Sequence, residues 1–342
     1  MLSTFTIITM LAFLFLLGWL LGPKMGPRVG KTLVKIDMST RLSKSKLEEK
    51  SLTLPDGQEL WYLERPGNEQ SPNKPLVVVP GLSVDMHLMG VQLADLLNNL
   101  PNRRVVIFEL PYHGKRASMI REINTLGCSV HTMTASLEDL LSGLGLSEPF
   151  DLLGYSLGGA IATNFAVRHP NRIHRLVLLA PYYDGEATTD GYEATFASKQ
   201  WRTLAAWDGR NEMKQWFCQW LGLESKDMFP GIVLSGLAAL RAESYSENHW
   251  TRFYDQLDID GRSTRSFLQD NKGALRKLPC PVLLYAAASD MICDPGKLTG
   301  LVDVFNPELC TIKTTESGHL FAPNGRTLFE ITAQESAEFL ND

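Results

Sequence analysis

Short apolar segments alternate with longer amphipathic segments through the first half of the chain. The apolar segments lie at residues 76–79, 104–110, 150–153 and 175–179, and the amphipathic segments lie at 91–100, 131–144 and 157–168. Strands that are apolar throughout are typically buried on both faces, and their alternation with helices is typical of βαβ units. The pattern therefore predicts an α/β protein with a mostly parallel sheet flanked by helices.

A hairpin signal precedes this alternation. Residues 52–54 and 59–63 have the composition of two short strands, and Asp56-Gly57 lies between them. Asp-Gly supplies the positive φ that a tight hairpin turn needs. We therefore expect the folded domain to begin near residue 51.

A helical segment then interrupts the strand pattern. From residue 182 to residue 276 no strand is predicted, and five of the seven tryptophans occur there. Strands are predicted again at 281–286 and 309–314, followed by a closing helix at 328–340. These changes predict an α/β core made of residues 51–181 and 277–342, with residues 182–276 inserted as a helical cap.

The N-terminal segment differs in composition from the rest of the chain. Residues 2–22 contain no charged side chain, and a stretch of this length can cross a bilayer as a helix. A secretory signal peptide is the competing interpretation, but a basic n-region and an Ala-x-Ala cleavage site are missing. We therefore expect residues 2–22 to form an uncleaved transmembrane anchor.

The next segment, residues 23–50, is basic. It carries eight lysines and arginines against three acidic residues. Positive charge beside a membrane span favours the cytoplasmic side, so we expect the catalytic body to be cytoplasmic. The segment is interpreted as a juxtamembrane linker; its charges could be simply solvated, or they could contact anionic lipid headgroups.

Composition narrows the classes of partner. The chain has 342 residues, of which 44% are hydrophobic and 21% charged, which is enough apolar material for a large folded core. A net charge of -5 argues against nucleic acid as a partner, because no basic excess is available to neutralise phosphates. The five cysteines show no zinc-ligand spacing and are interpreted as reduced packing thiols, so neither a metal nor a cofactor is expected. The oligomeric state is left open.

One pentapeptide carries the strongest chemical signal. Gly154-Tyr155-Ser156-Leu157-Gly158 follows a predicted strand and opens a predicted helix rich in small residues. Gly-x-Ser-x-Gly in this position places the serine on a strained turn that exposes its Oγ atom. A simple glycine-rich turn is the structural alternative. We predict that Ser156 is the nucleophile of a serine hydrolase.

A serine nucleophile needs a histidine base and a carboxylate that orients the histidine. His319 follows the last predicted strand, and Asp290 follows the strand before it, so the chain order is Ser, Asp, His. His87 and His113 could also lie at this edge of the sheet. Asp294 competes with Asp290 as the acid, although its position before a proline also suits it to cap the next helix.

Ester cleavage also needs donors for the tetrahedral oxyanion. Backbone N–H groups of Leu157, directly after the nucleophile, and of Leu82, in the loop after residues 76–79, are the candidates. Gly81 would allow a close approach to the nucleophile. An ordinary turn at residues 80–82 explains the same residues equally well.

Taken together, these motifs resemble the α/β-hydrolase superfamily over about residues 50–340. The resemblance is carried by Pro80-Gly81-Leu82, Pro111-Tyr112-His113-Gly114, the pentapeptide around Ser156, Asp290 and Ser317-Gly318-His319. With the anchor and the cap, the chain is similar to membrane-anchored α/β-hydrolase-domain lipases, including monoacylglycerol lipases. That resemblance implies hydrolysis of lipid esters, with Ser156, Asp290 and His319 as the triad.

The chain departs from the family pattern at two loops. The family usually has His-Gly where this chain has Pro80-Gly81, and commonly has Pro-Gly-His-Gly at residues 111–114. Neither departure removes a triad residue, but the first could alter the loop packing beneath the oxyanion site and so affect the donor expected at Leu82.

The sequence therefore predicts hydrolysis of a small or medium acyl ester, such as a monoacylglycerol, through an acyl-enzyme intermediate. Peptide cleavage, carbon–carbon bond hydrolysis and acyl transfer use the same residues and are the enzymatic alternatives. Epoxide hydrolases and haloalkane dehalogenases are disfavoured because they have an aspartate at the position of Ser156. A membrane-tethered binding protein without turnover is the alternative of a different class.

Overall fold

A computed structural model of the chain describes residues 26–68, 73–192, 249–260 and 267–342. Within these residues the strands form one eight-stranded sheet, in the order β1-β2-β4-β3-β5-β6-β7-β8. The strands are β1 Glu48–Thr53, β2 Glu59–Arg65, β3 Leu76–Val79, β4 Val105–Phe108, β5 Phe150–Tyr155, β6 Ile173–Leu179, β7 Val282–Ala287 and β8 Cys310–Thr315. The pairs β1/β2 and β2/β4 are antiparallel, and the remaining neighbours are parallel.

Helices cover both faces of the sheet. The α-helices of the described residues are α1 Gly26–Lys44, α2 Met86–Gln92, α3 Ala94–Asn98, α4 Ile123–Leu126, α5 Val130–Gly143, α6 Leu157–Arg168, α7 His249–Asp260, α8 Phe267–Leu275, α9 Pro295–Thr299 and α10 Leu328–Asn341. A 3₁₀ helix, Gly114–Glu122, follows β4. Two hydrophobic clusters, one on each side of the sheet, make up the core.

Strand β3 shows why the sheet is buried. All four of its residues are inaccessible to solvent, and alternate residues face opposite sides. Val77 and Val79 pack with α5 and α6, whereas Leu76 and Val78 pack with α2, α3 and α10. Neither face of such a strand contacts solvent, which explains why its sequence is continuously apolar.

The predicted α/β class is confirmed: the described strands form a mostly parallel sheet flanked by helices. The helix predicted at 91–100 begins earlier, at Met86, and is divided into α2 and α3. Asp85 explains the earlier start, because its Oδ1 atom accepts a hydrogen bond from the Leu88 N–H group at 2.8 Å and caps α2.

The other predicted segments lie partly inside and partly outside the described residues. Residues 23–50, interpreted as a linker, contain helix α1 and the start of β1. The predicted anchor at 2–22 lies outside the described residues, as do Cys218 and most of the predicted cap. Among the residues that are described, no helix combines the length and apolar character needed to cross a membrane. Cys128, Cys280, Cys293 and Cys310 are buried free thiols.

Candidate active site

Ser156 occupies the sharp turn between β5 and α6. Its backbone has φ 51° and ψ −122°, a region that residues with a side chain rarely adopt. Its carbonyl accepts hydrogen bonds from Gly159 at 2.7 Å and from Tyr182 at 2.9 Å. The turn is therefore held by contacts on both sides, and the serine is presented at the carboxyl edge of the sheet.

The two glycines of the pentapeptide are required by close packing. A Cβ atom added to Gly158 would lie 2.1 Å from the carbonyl oxygen of Val79, and one added to Gly154 would lie 2.4 Å from the carbonyl oxygen of Gly158. Neither separation is possible for a real side chain. The first turn of α6 thus lies directly against strands β3 and β5, which fixes the height of Ser156 above the sheet.

Ser156, His319 and Asp290 form a continuous hydrogen-bonded chain. The Nε2 atom of His319 lies 2.9 Å from Ser156 Oγ, and its Nδ1 atom lies 2.8 Å from Asp290 Oδ2. All three side chains are buried. Because a carboxylate can only accept, Nδ1 carries the proton and Nε2 is free to accept from the serine hydroxyl. This geometry allows His319 to act as a base toward Ser156.

Asp290 and Asp294 have different partners. Besides His319, Asp290 accepts hydrogen bonds from the backbone N–H groups of Ile292 at 2.8 Å and Cys293 at 3.0 Å. The Asp294 side chain instead accepts from the N–H groups at the start of α9. The structure therefore places Asp290 against the histidine and Asp294 at a helix N-cap.

The loop that carries His319 is held by a residue that the sequence analysis did not select. The hydroxyl of Tyr155 donates to the carbonyl oxygen of His319 at 3.1 Å, and the two rings lie 5.3 Å apart. Burial raises the pKa of Tyr155, so the phenol stays protonated and remains a donor. The residue just before Ser156 thus positions His319. Its place in the pentapeptide is the only sequence signal that could have identified it.

The predicted oxyanion donors lie at the same edge. A Cβ atom added to Gly81 would lie 3.0 Å from Ser156 Cβ, so the loop that contains Leu82 lies against Ser156. Leu157 follows Ser156 as the first residue of α6. Of the other histidines considered, His87 pairs with Glu49 at 2.8 Å, away from the triad, and His113 contacts the loop that contains Leu82.

Asp290, Cys293 and His319 are close enough together to hold a metal ion, since their ligand atoms lie within 4.8 Å of one another. Their hydrogen bonds favour the triad interpretation. Both nitrogens of His319 are engaged, and the Cys293 thiol lies 3.4 Å from the Ala180 carbonyl oxygen, to which it donates. Burial, reinforced by Asp290, raises the pKa of the Cys293 thiol well above its usual value, and a protonated thiol is a poor metal ligand.

Comparison with known proteins agrees with this geometry. A family model described as the alpha/beta hydrolase fold matches residues 74–322. A pimeloyl-[acyl-carrier protein] methyl ester esterase of Neisseria meningitidis serogroup B is 26% identical over 65% of this chain and 77% of its own. A human 1-acylglycerol-3-phosphate O-acyltransferase is 29% identical over 37% of this chain, and the match spans only 35% of that protein.

Solved structures show the same fold. A membrane phospholipase A, described as a bacterial virulence factor, superposes with a TM-score of 0.68 over 99% of this chain and 98% of its own, at 19% identity. A putative lipase from Acinetobacter baumannii AYE superposes with a TM-score of 0.69 over 90% of this chain and 95% of its own, at 18% identity.

Proposed function

The chain belongs to the α/β-hydrolase family as a serine hydrolase, and we propose that it cleaves the acyl ester of a lipid such as a monoacylglycerol. The observation that carries the proposal is the hydrogen-bonded chain from Ser156 through His319 to Asp290 on a strained turn between β5 and α6. A binding protein without turnover would not need a serine in this conformation, because the strained turn serves to hold the serine Oγ where a base and a substrate can reach it.

The reaction proceeds in two halves. In the first, His319 Nε2 removes the proton of Ser156 as Oγ attacks the ester carbonyl, and the backbone N–H groups of Leu82 and Leu157 receive the developing oxyanion. The tetrahedral intermediate then collapses, and His319 gives the proton to the departing alcohol. In the second half, His319 activates a water that releases the acyl group as a carboxylic acid and restores Ser156. Asp290 stabilises the imidazolium in both halves.

Three observations support a lipid as the substrate. The proteins similar to this chain include a membrane phospholipase A and a putative lipase, whose names concern lipid esters. The apolar segment 2–22 and the basic segment 23–50 would hold the catalytic body at a bilayer, where such esters are concentrated. The aromatic-rich segment 182–276 would shield the acyl chain from water.

Activity-based labelling tests the reaction class. We expect a fluorophosphonate probe to label the full-length protein, and Ser156→Ala to abolish labelling. Ser39→Ala, at an exposed position on α1, is the matched control and should label normally. Labelling that is unchanged in Ser156→Ala would refute the assignment of the nucleophile.

A substrate panel tests the lipid proposal separately. Hydrolysis should be compared across monoacylglycerols, lysophospholipids and short water-soluble p-nitrophenyl esters. We expect higher kcat/KM values for the lipid esters. Activity confined to the soluble esters would overturn the lipid assignment while leaving the serine hydrolase intact.

Membrane attachment is a further part of the proposal. With residues 2–22 as an anchor, the protein should sediment with membranes and resist extraction by high salt or carbonate. Removal of residues 2–22 should release it. Protease protection of a C-terminal tag reports topology, and a tag on the protected, non-cytoplasmic side would contradict the cytoplasmic assignment.

A further inference from the structure

His113 is a buried histidine that the triad does not use. It lies between β4 and the 3₁₀ helix Gly114–Glu122, with no exposed surface. Its Nδ1 atom is 2.8 Å from the carbonyl oxygen of Pro111, and its Nε2 atom is 3.1 Å from the backbone nitrogen of Ser83. The ring therefore connects the loop after β4 with the loop that contains Leu82.

These two contacts determine the protonation state of the ring. The carbonyl of Pro111 can only accept, so Nδ1 must carry a proton; the N–H of Ser83 can only donate, so Nε2 must be unprotonated. Only the neutral Nδ1-H tautomer satisfies both partners. Burial lowers the pKa of His113 to about 3, which is consistent with a ring that stays neutral.

Ser83 is held in an unfavourable conformation. Its φ is 64°, a left-handed value that costs free energy for a residue with a side chain. Such a conformation persists only when the surroundings enforce it, and the His113 ring supplies a hydrogen bond directly at the strained residue. Losing this acceptor would leave the loop free to relax.

The same hydrogen bond affects the proposed oxyanion donor. The N–H of Leu82 belongs to the peptide unit whose carbonyl is that of Gly81, and this carbonyl accepts from the Val84 N–H at 3.2 Å. The next peptide unit, between Leu82 and Ser83, is the one that His113 holds. The orientation of the Leu82 N–H is therefore set from both sides, by one backbone contact and one side chain.

Helix α7 closes the outer side of this arrangement. His249 Nε2 donates to the carbonyl of Tyr112 at 2.7 Å, and the Phe253 ring meets the His113 ring edge-on, with centroids 5.4 Å apart. The contact excludes water from His113 and strengthens its hydrogen bonds.

We propose that His113 is a positioning residue of the oxyanion hole, whose neutral imidazole holds the Ser83 N–H and so aims the Leu82 N–H at the substrate oxyanion. This inference rests on the proposed function, because an oxyanion hole matters only if Ser156 attacks an ester. The residue acts through the backbone and does not touch the reacting atoms.

Two variants of His113 distinguish positioning from a merely structural role. The side-chain amide of glutamine reaches the place of Nε2, so His113→Gln can still accept from Ser83. The shorter amide of asparagine reaches only the place of Nδ1. His113→Asn therefore keeps the hydrogen bond to the Pro111 carbonyl and loses the one from the Ser83 N–H. Both variants remove an aromatic ring from the same cavity, and comparable melting temperatures would show comparable structural damage.

The measurements are kcat and KM for a p-nitrophenyl ester, and the inhibition constant of a trifluoromethyl ketone, which forms a tetrahedral oxyanion on Ser156. Removing an oxyanion donor costs about 10²–10³ in kcat, so misdirecting one should cost about 10- to 100-fold in His113→Asn, with KM little changed. The inhibition constant should rise in parallel. His113→Gln should retain most of the wild-type kcat.

The outcomes separate the two proposals. Equal kcat in the Gln and Asn variants, or a fall in kcat without weaker ketone binding, would overturn the role of His113 while leaving the serine hydrolase standing. The role of His113 would also be overturned if kcat fell and KM rose together, in proportion to the fall in melting temperature of each variant. Failure of the wild-type protein to label with a fluorophosphonate or to hydrolyse any ester would overturn both proposals together.

Discussion

Asp290→Asn changes one atom of the proposed triad, and the surrounding hydrogen bonds predict which way the new amide will face. In the native protein, Oδ1 accepts from the N–H groups of Ile292 and Cys293, and Oδ2 accepts from His319. Placing the amide nitrogen toward the two backbone N–H groups would leave the part-buried N–H of Ile292 and the buried N–H of Cys293 without an acceptor, at about 1–3 kcal/mol for the buried donor. We therefore expect the amide oxygen to stay there and the NH₂ group to face His319.

That orientation reverses the role of the histidine. An NH₂ group can only donate, so His319 Nδ1 must become the acceptor and the proton must move to Nε2. A protonated Nε2 cannot take the proton of Ser156. A wrong tautomer in a Ser-His-Asp triad lowers kcat by about 10⁴, equivalent to about 5 kcal/mol of transition-state stabilisation. We expect a loss of this size in Asp290→Asn.

Asp294→Ala is the matched control for this experiment. Asp294 caps α9 through hydrogen bonds to Gly296 and Lys297, so its removal should cost about 0.5–2 kcal/mol of stability and leave kcat unchanged. Hydrolysis of a p-nitrophenyl ester gives kcat, and thermal unfolding gives stability. If Asp290→Asn retained most of its kcat, or if Asp294→Ala lost activity while staying folded, the assignment of the acid would be refuted.

Three further predictions follow from packing and buried charge. Gly158→Ala should abolish soluble folded protein, since its Cβ would lie 2.1 Å from a strand carbonyl, whereas Gly273→Ala, with open space around it, should not lower the melting temperature. Burial raises the pKa of Glu109 from 4.5 to about 8, so the folded protein retains a proton that the unfolded chain releases. The free energy of unfolding should therefore fall as pH rises from the unfolded pKa of 4.5 to the folded pKa of about 8. Glu109→Gln should reduce the fall in melting temperature between pH 5 and 8. A fall equal to that of the wild type would count against the pKa shift. Arg103→Met should lower the free energy of unfolding, measured in urea, by about 3–5 kcal/mol, because it removes the buried cation paired with the Asp151 carboxylate and leaves that carboxylate with His174; Asp151→Asn in the same chain should recover part of the loss.

The pattern of apolar and polar residues was sufficient to predict the α/β architecture, because the sheet is buried on both faces. Strands β3 and β5 show no polar alternation, and this absence, together with the intervening helices, predicts a parallel sheet. Motif order was sufficient to select Ser156, Asp290 and His319, since each follows a predicted strand end. Asp290 and Asp294, which are four positions apart, could not be distinguished in this way, because either carboxylate could reach the histidine from the same loop. The structure distinguishes them by their partners: Asp290 contacts His319 Nδ1, whereas Asp294 accepts from the N–H groups at the start of α9.

The contacts between loops could not be predicted from the sequence pattern. The Tyr155 hydroxyl meets the carbonyl of a residue 164 positions away, and His113 meets a backbone nitrogen 30 positions away. Neither contact leaves a periodicity or a motif, since a backbone acceptor or donor is the same whatever the residue type. His113 could be noted as a histidine at the correct edge of the sheet and as part of Pro111-Tyr112-His113-Gly114, but neither signal indicates its partner.

The parallel register explains why such distant residues meet at one place. Val79 pairs with Gly154, Tyr155 with Leu179, and Ala287 with Thr315, so strands β3, β5, β6, β7 and β8 end in line at the carboxyl edge. The loops that leave this edge carry Leu82, Ser156, Asp290 and His319, the proposed oxyanion donor, nucleophile, acid and base. Strand register alone brings these groups into one region, but a proton transfer needs them within hydrogen-bond distance of each other. The additional accuracy comes from side chains that bind backbone groups of neighbouring loops, as Tyr155 does for His319 and as we propose for His113. Variants of these two residues should therefore affect turnover more than they affect the fold.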